Sequence, residues 1–251
     1  MEALLDNAFV RDVVVLAKPA LFNLYFAAAS IPFGFPFAIG LALARWKGPW
    51  PVAKLAAAYV YCFRGSPLFI QFFMFYSVML AFNRDLWKPL GIDHVMLHPL
   101  FIGPLVLVLN TAAYTGEIFY GALKSVPRGQ VEAARAIGMS PWQTFRTVTW
   151  PNALRLAWPA YSNEVVFLFH ATALVYFTMP VIGQQKDLMN KAGELFERDY
   201  DVFLHFGVAA LYFLVISMAL FRLSAWVYAR LTAHLEPARR APLKLRPQYV
   251  R

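Results

Sequence analysis

The sequence predicts an all-α membrane protein of about five transmembrane helices, with a polar helical elbow projecting from one side. Three observations predict it. First, 60% of the 251 residues are hydrophobic, 15% are charged, and mean hydropathy is +0.51. Globular proteins average about 25% charged residues, and a soluble core of this size cannot hide so much apolar surface. Second, five runs approach or exceed the roughly 20 apolar residues that a spanning helix needs: 20–44, 55–82, 100–123, 153–182 and 202–229. Third, the net charge of +9 gathers at the ends of those runs, a distribution that argues against nucleic acid as the partner.

Taken in order, residues 1–19 read as an external segment. Glu2, Asp6, Arg11, Asp12 and Lys18 break up any basic-then-apolar leader. A single membrane domain is expected over 20–232, and a cytoplasmic basic tail over 233–251. Pro32, Pro36, Pro67, Pro104 and Pro159 fall inside the apolar runs; membrane helices tolerate proline where neighbours satisfy the freed carbonyls. Cys62 is the single cysteine, which excludes an intrachain disulfide and a cysteine-cluster metal site. Residues 184–200 carry a helical stripe of Leu188, Ala192, Leu195 and Phe196 among charges, and predict a short amphipathic helix outside the spans.

Between the third and fourth runs lies the polar stretch 128–151, within a loop over 124–151. Its alanine-rich start favours a helix over 131–137. Gly138 stands where a left-handed residue would end it. Ser140 can cap a second helix, Pro141 suits its first position and Gln143 completes a capping box. Pro151 is expected to interrupt the pattern again. Such an elbow suits docking of a partner better than catalysis.

Lysine and arginine placement sets the orientation. With the N-terminus outside and the C-terminus inside, fourteen of the 23 fall inside and seven outside, with Arg64 and Arg222 within the runs. The elbow then faces the cytoplasm, where ATP is available.

Polar residues inside spans are costly and default to functional candidates. Asn110, Tyr114 and Glu117 share one face of the third run, with Thr111 and Thr115 beside them. Arg64 and Gln71 are seven apart on the second. Asn163, Glu164, His170 and Thr172 lie on the fourth. Gln71, Asn110, Tyr114, Glu117, Asn163, Glu164, His170 and Thr172 are therefore the candidate substrate pathway, each with a packing alternative. Arg64 reads first as a structural cation, Glu117 as an ion-pair partner, and Glu164 as the best partner for an ammonium or guanidinium group. No nucleophile–base pair, metal-ligand spacing or G-x-x-x-x-G-K-S/T loop occurs, so no catalytic residue, metal or cofactor is expected on this chain.

Glu132-Ala133-Ala134, followed by Gly138 and Pro151, resembles the EAA loop of the membrane subunits of ATP-binding-cassette (ABC) importers. Val148 and Trp150 stand where isoleucine and leucine are usual; both keep apolar bulk. Phe63-Arg64-Gly65-Ser66-Pro67-Leu68 with Gln71, the stretch from Asn110 to Ile118, and Pro159 to Glu164 resemble the polar amino-acid permeases. His170 followed by Ala171, Thr172, Ala173 and Leu174 departs from that branch's usual lysine-led motif. It looks like the M-type subunits of histidine/lysine/arginine/ornithine and opine transporters.

The resemblance implies a type I importer permease fold with a coupling helix in the loop. Glu132, Ala133, Ala134, Gly138 and Pro151 would be the ATPase-coupling residues. It implies a heterodimer with a homologous Q-type subunit, a cytoplasmic ABC ATPase dimer holding ATP and Mg, and a periplasmic amino-acid-binding protein. The location implied is the bacterial inner membrane, and the cargo a polar, basic amino acid or an opine. Two other readings remain at this level: a transporter or channel working without an ATPase, and a membrane-anchored DNA-binding helix-turn-helix.

Overall fold

The computed structural model describes residues 7–178 and 186–233, and every regular element among them is helical. Helix α1 runs Ala8–Lys47, α2 Trp50–Gly65, α3 Leu68–Ala81, α4 Asp93–Met96 and α5 Pro99–Lys124. The elbow holds α6, Arg128–Ala136, and α7, Pro141–Thr144. Then come α8 (Trp150–Ala171), α9 (Val175–Thr178), α10 (Leu188–Asp199) and α11 (Val202–Leu231).

Helix α1 is 40 residues long, about 60 Å at 1.5 Å per residue. It begins where the Asn7 side chain accepts the Phe9 amide at 3.0 Å and ends at Gly48 with Arg45 and Lys47 in its last turn, where cations suit the helix dipole. Residues 8–19, read from sequence as external, are part of this same helix. By length and composition α1, α5 and α11 can each cross a membrane.

The second apolar run differs from expectation. It is not one span but two helices of 16 and 14 residues, parted at Ser66-Pro67. Proline removes an amide and disfavours helix in the residue before it. Arg64 and Gln71 therefore do not share a helix face, since the seven-residue argument needs an unbroken helix.

Pro151 also departs from expectation. The helix continues through it. Residues 145–149 form a widened π turn in which the Trp150 amide reaches back to the Phe145 carbonyl. Pro151 falls in the first turn of α8, a position where proline is tolerated. The chain from Pro141 to Ala171 is continuous helix.

Helices α1 and α5 form the most extensive pairing. Small residues let them close. A Cβ added at Gly34 would sit 2.7 Å from Thr111 Cγ2, and one at Gly103 would sit 2.9 Å from the Phe26 ring, the small-residue contact by which membrane helices approach. The core forms successive clusters along the bundle. One surrounds Phe26, Phe72, Ile102, Leu107 and Leu168. Another surrounds Phe119, Ala153 and Tyr161 near the elbow. At the opposite end, α10 packs Leu188, Ala192 and Leu195 onto Leu16 and Ala20 of α1 and Val208 of α11. The predicted amphipathic stripe is thus a packing face. Its first residues, 184 and 185, lie outside the described residues, as do the end of the fourth run and all but Ala233 of the predicted tail.

Candidate functional site

The elbow folds on local chemistry. Gly138 has φ +86°, the left-handed region that favours glycine. Ser140 Oγ accepts the Gln143 amide at 3.2 Å, and Gln143 Oε1 accepts the Ser140 amide at 2.8 Å. These two bonds form the capping box. Ala134 is buried towards the bundle, whereas Glu132, Ala133 and Gly138 are exposed. Ile137 and Trp142 stand out at 75% and 66% exposure, unusual for large apolar side chains in a polar loop.

Two sets of contacts tie this peg to the bundle. Asn152 Nδ2 donates to Gln130 Oε1 at 3.0 Å, joining α6 to α8. A ladder of rings also runs inward. Trp142 stacks on Phe145 at 5.8 Å, Phe145 lies 6.2 Å from Trp150, Trp150 stacks on Phe119 at 5.8 Å, and Phe119 meets Tyr161 edge-on at 6.0 Å. The ladder carries contact from the exposed tip into the core.

The intramembrane candidates divide into groups. Gln71 is buried at the α2–α3 break. Its Nε2 donates to the Phe63 carbonyl at 2.8 Å and to Ser66 Oγ at 2.9 Å, and its Oε1 accepts from Asn110 Nδ2 at 3.0 Å. Gln71 thereby satisfies carbonyls that the break would otherwise orphan, and Asn110 holds its side chain in place. Glu117 is clamped between two guanidinium groups, Arg45 at 2.5 Å and Arg64 at 3.3 Å. The Tyr114 hydroxyl donates to the Arg64 carbonyl at 3.4 Å. Arg64, Tyr114 and Glu117 line a cleft of about 530 Å³ that continues along Ala157 and Ala160 of α8. Glu164 is buried and accepts from Thr111 Oγ1 at 3.0 Å. Among the described residues it makes no salt bridge, and a buried carboxyl without one is costly to ionise unless a cation joins it.

Tyr114 and Glu117 are the two candidates among the residues lining that cleft, and the last three lie elsewhere. His170 Nε2 meets Ser217 Oγ at 2.7 Å, on the face towards α11. Thr172 is buried and accepts from Asn23 Nδ2 at 3.0 Å. Asn163 is exposed.

Several residues with structural weight escaped the sequence reading. Asn23 bridges Thr172 and the Leu188 amide, the latter at 2.8 Å. The buried Asp12 pairs with His205 Nδ1, and His205 Nε2 lies 2.6 Å from Asp199. Both ring nitrogens thus face carboxyl oxygens, an arrangement that an imidazolium, with two N–H donors, would satisfy. The hydrogen bond from His205, and after it that from the Asp201 amide, holds the Asp199 carboxyl below the ordinary carboxylate value. A polar census of the first run would have flagged Asn23, and Asp12 stood in a segment assigned to solvent.

Residues 34–233 match the family described as binding-protein-dependent transport system inner membrane component. The chain is 37% identical over 218 residues to the histidine/lysine/arginine/ornithine transport system permease protein HisM of Escherichia coli, covering 86% of this chain and 88% of that one. It is 35% identical over 215 residues to the nopaline transport system permease protein NocM of Agrobacterium fabrum, covering 85% and 86%. Its fold resembles a chain from the crystal structure of an amino acid ABC transporter with histidines. There the TM-score is 0.65 at 23% identity, over 89% of this chain and 94% of that one.

Proposed function

The chain belongs to the family of binding-protein-dependent transport system inner membrane components, and from that premise we propose that it is the membrane subunit of an ATP-driven importer of polar, basic amino acids. It is a multi-pass protein of the inner membrane. The observation that carries the coupling role is the elbow, which presents Glu132, Ala133 and Ile137 outward on a turn set by Gly138 and is stacked ring by ring onto the bundle. The charge asymmetry supports an N-terminus outside and an elbow in the cytoplasm.

In this reading the chain pairs with a homologous Q-type permease subunit. An ABC ATPase dimer binds ATP and Mg and grips the elbow through Glu132, Ala133 and Gly138. Ala134 seats α6 on the bundle, and Pro151 starts α8 behind the widened turn. A periplasmic binding protein delivers the amino acid. ATP-driven closure of the ATPase displaces the peg, and the ladder from Trp142 to Phe119 passes the displacement to α5 and α8. The substrate must bind the two states of the bundle unequally for ATP to drive the cycle. Its path runs along Tyr114, Glu117 and Glu164, with Gln71 and Asn110 holding the α2–α3 break open beside it. Glu117 is already neutralised by Arg45 and Arg64; Glu164 is the carboxylate left for a cationic side chain. His170 and Thr172 brace α8 and α9 against α11 and α1.

A cysteine placed at Ala133, after Cys62→Ser, should cross-link to the ATPase subunit in the assembled transporter. A transporting complex in which that cysteine reaches no nucleotide-hydrolysing chain overturns the coupling role. Uptake should be competed by arginine, lysine, histidine, ornithine or an opine; competition by glutamine alone overturns the basic-substrate assignment and leaves the coupling role standing.

A further inference from the structure

At the end of the bundle away from the elbow, α1 and α10 enclose a cavity of about 440 Å³ whose lining divides by chemistry. Val15, Pro19 and Phe22 form an apolar wall. Lys18, Lys186, Lys191 and Arg198 supply four positive charges against the single carboxylate of Glu194. That carboxylate is shared, with Lys191 Nζ 2.9 Å from one oxygen and Lys186 paired with the other. Lys18 and Arg198 make no ion pair among the described residues. The Lys191 ammonium is held below its ordinary value, first by partial burial and then by repulsion from Lys186 and Arg198. Among the described residues the cavity is short of negative charge.

Its depth can be read along α1. Lys18 and Arg45 lie on one continuous helix, about 40 Å apart at 1.5 Å per residue. A bilayer with its headgroups is about 40–45 Å thick. With Arg45 in one headgroup layer, Lys18 stands in the other, and Phe22, one turn further, lies on the hydrocarbon side. The cationic rim is therefore at the level of lipid phosphates, with apolar surface leading inward from it.

We propose that this cavity binds the headgroup of an anionic phospholipid, its phosphodiester held by Lys18, Lys191 and Arg198 and its acyl chains lying along Pro19 and Phe22. A free inorganic anion would meet the same cations but leave the apolar wall uncovered. The bound lipid would cement α10 to α1.

The test uses the purified full-length protein, with any subunits that accompany it, in nanodiscs of phosphatidylcholine and phosphatidylglycerol. Lipid retained after detergent washing is quantified by mass spectrometry. The wild type should retain phosphatidylglycerol in preference to phosphatidylcholine. The triple variant Lys18→Gln, Lys191→Gln, Arg198→Gln should retain roughly thirtyfold less, about threefold for each cation near the headgroups. Lys47→Gln, Lys124→Gln, Arg128→Gln removes the same charge at the other end and should retain it. Equal loss in both triples, or no loss in the first, overturns the proposal. So does displacement of the lipid by water-soluble glycerol phosphate at comparable concentration, which would make the site a plain phosphate site. Lys191→Gln alone should lower retention by about threefold on the same electrostatic grounds with the melting temperature unchanged; unchanged retention in that folded variant overturns the proposal even if the triple fails to fold.

Discussion

The elbow and the far end of the bundle are held together by opposite means. In the elbow, the bonds of the capping box join residues three apart, and Thr147 bonds the Gln143 carbonyl four residues back. At the far end, Asn23 reaches Thr172 across 149 positions, and Asp12 reaches His205 across 193. The first kind of structure forms and moves as a unit, because its order depends on its own neighbours. The second kind forms only when α1, α10 and α11 have already assembled. A peg that must transmit force gains from the first, and a bundle that must resist it gains from the second.

The sharpest break of this contrast is Gly138→Val. A β-branched residue at φ +86° is strained by about 1–3 kcal/mol, and the strain falls on the turn that aims the peg. Uptake should drop by roughly tenfold or more, one such factor being about 1.4 kcal/mol, while the melting temperature of the bundle stays near that of the wild type. Uptake and binding-protein-stimulated ATP hydrolysis in proteoliposomes check it; wild-type values for both remove Gly138 from the coupling device.

Asn23→Ala probes the other side. It leaves the buried Leu188 amide without its acceptor, at a cost of about 1–3 kcal/mol. Thermal unfolding in detergent should move down by several degrees, and protease sensitivity should rise around α10, with the elbow still able to cross-link. A variant that melts like the wild type would show that α10 is held by apolar packing alone.

The smallest effect concerns pH. The Asp199 carboxyl is held below its ordinary value in the folded chain. Its contribution is therefore complete above about pH 4, the ordinary carboxylate range, and is lost as pH falls through the lower folded value. Asp199→Asn should flatten the acid limb of the melting-temperature profile slightly. Profiles of mutant and wild type that run parallel down to acid pH would place the titration elsewhere.

Legibility in the sequence follows the same division. Gly138, Ser140, Pro141 and Gln143 announced the turn and its cap because each acts within four residues. The apolar runs announced their helices because the length of a membrane helix is a one-dimensional quantity. The break at Ser66-Pro67 was half visible: the proline was noted, but whether a membrane helix kinks or parts at proline depends on what satisfies the freed carbonyls. Here the Gln71 side chain and the Tyr114 hydroxyl do so, and the second of these comes from another helix. Pro151 misled for the same reason, since a widened turn just before it absorbed the missing amide.

The order of residues thus settled roughly where apolar helices lie, which segment stays polar, and that the chain turns left-handed at Gly138. These are short-range matters, governed by backbone amides and side chains a few positions away. Which charges meet was settled by folding in three dimensions: Glu117 with Arg45 and Arg64, Asp12 with His205, and Glu164 with a hydroxyl and no cation among the described residues. Such pairings require distant helices to pack in one register. For α1 and α5 that register is accompanied by a close approach at Gly34 and Gly103, a contact whose strength depends on shape rather than on spacing along the chain.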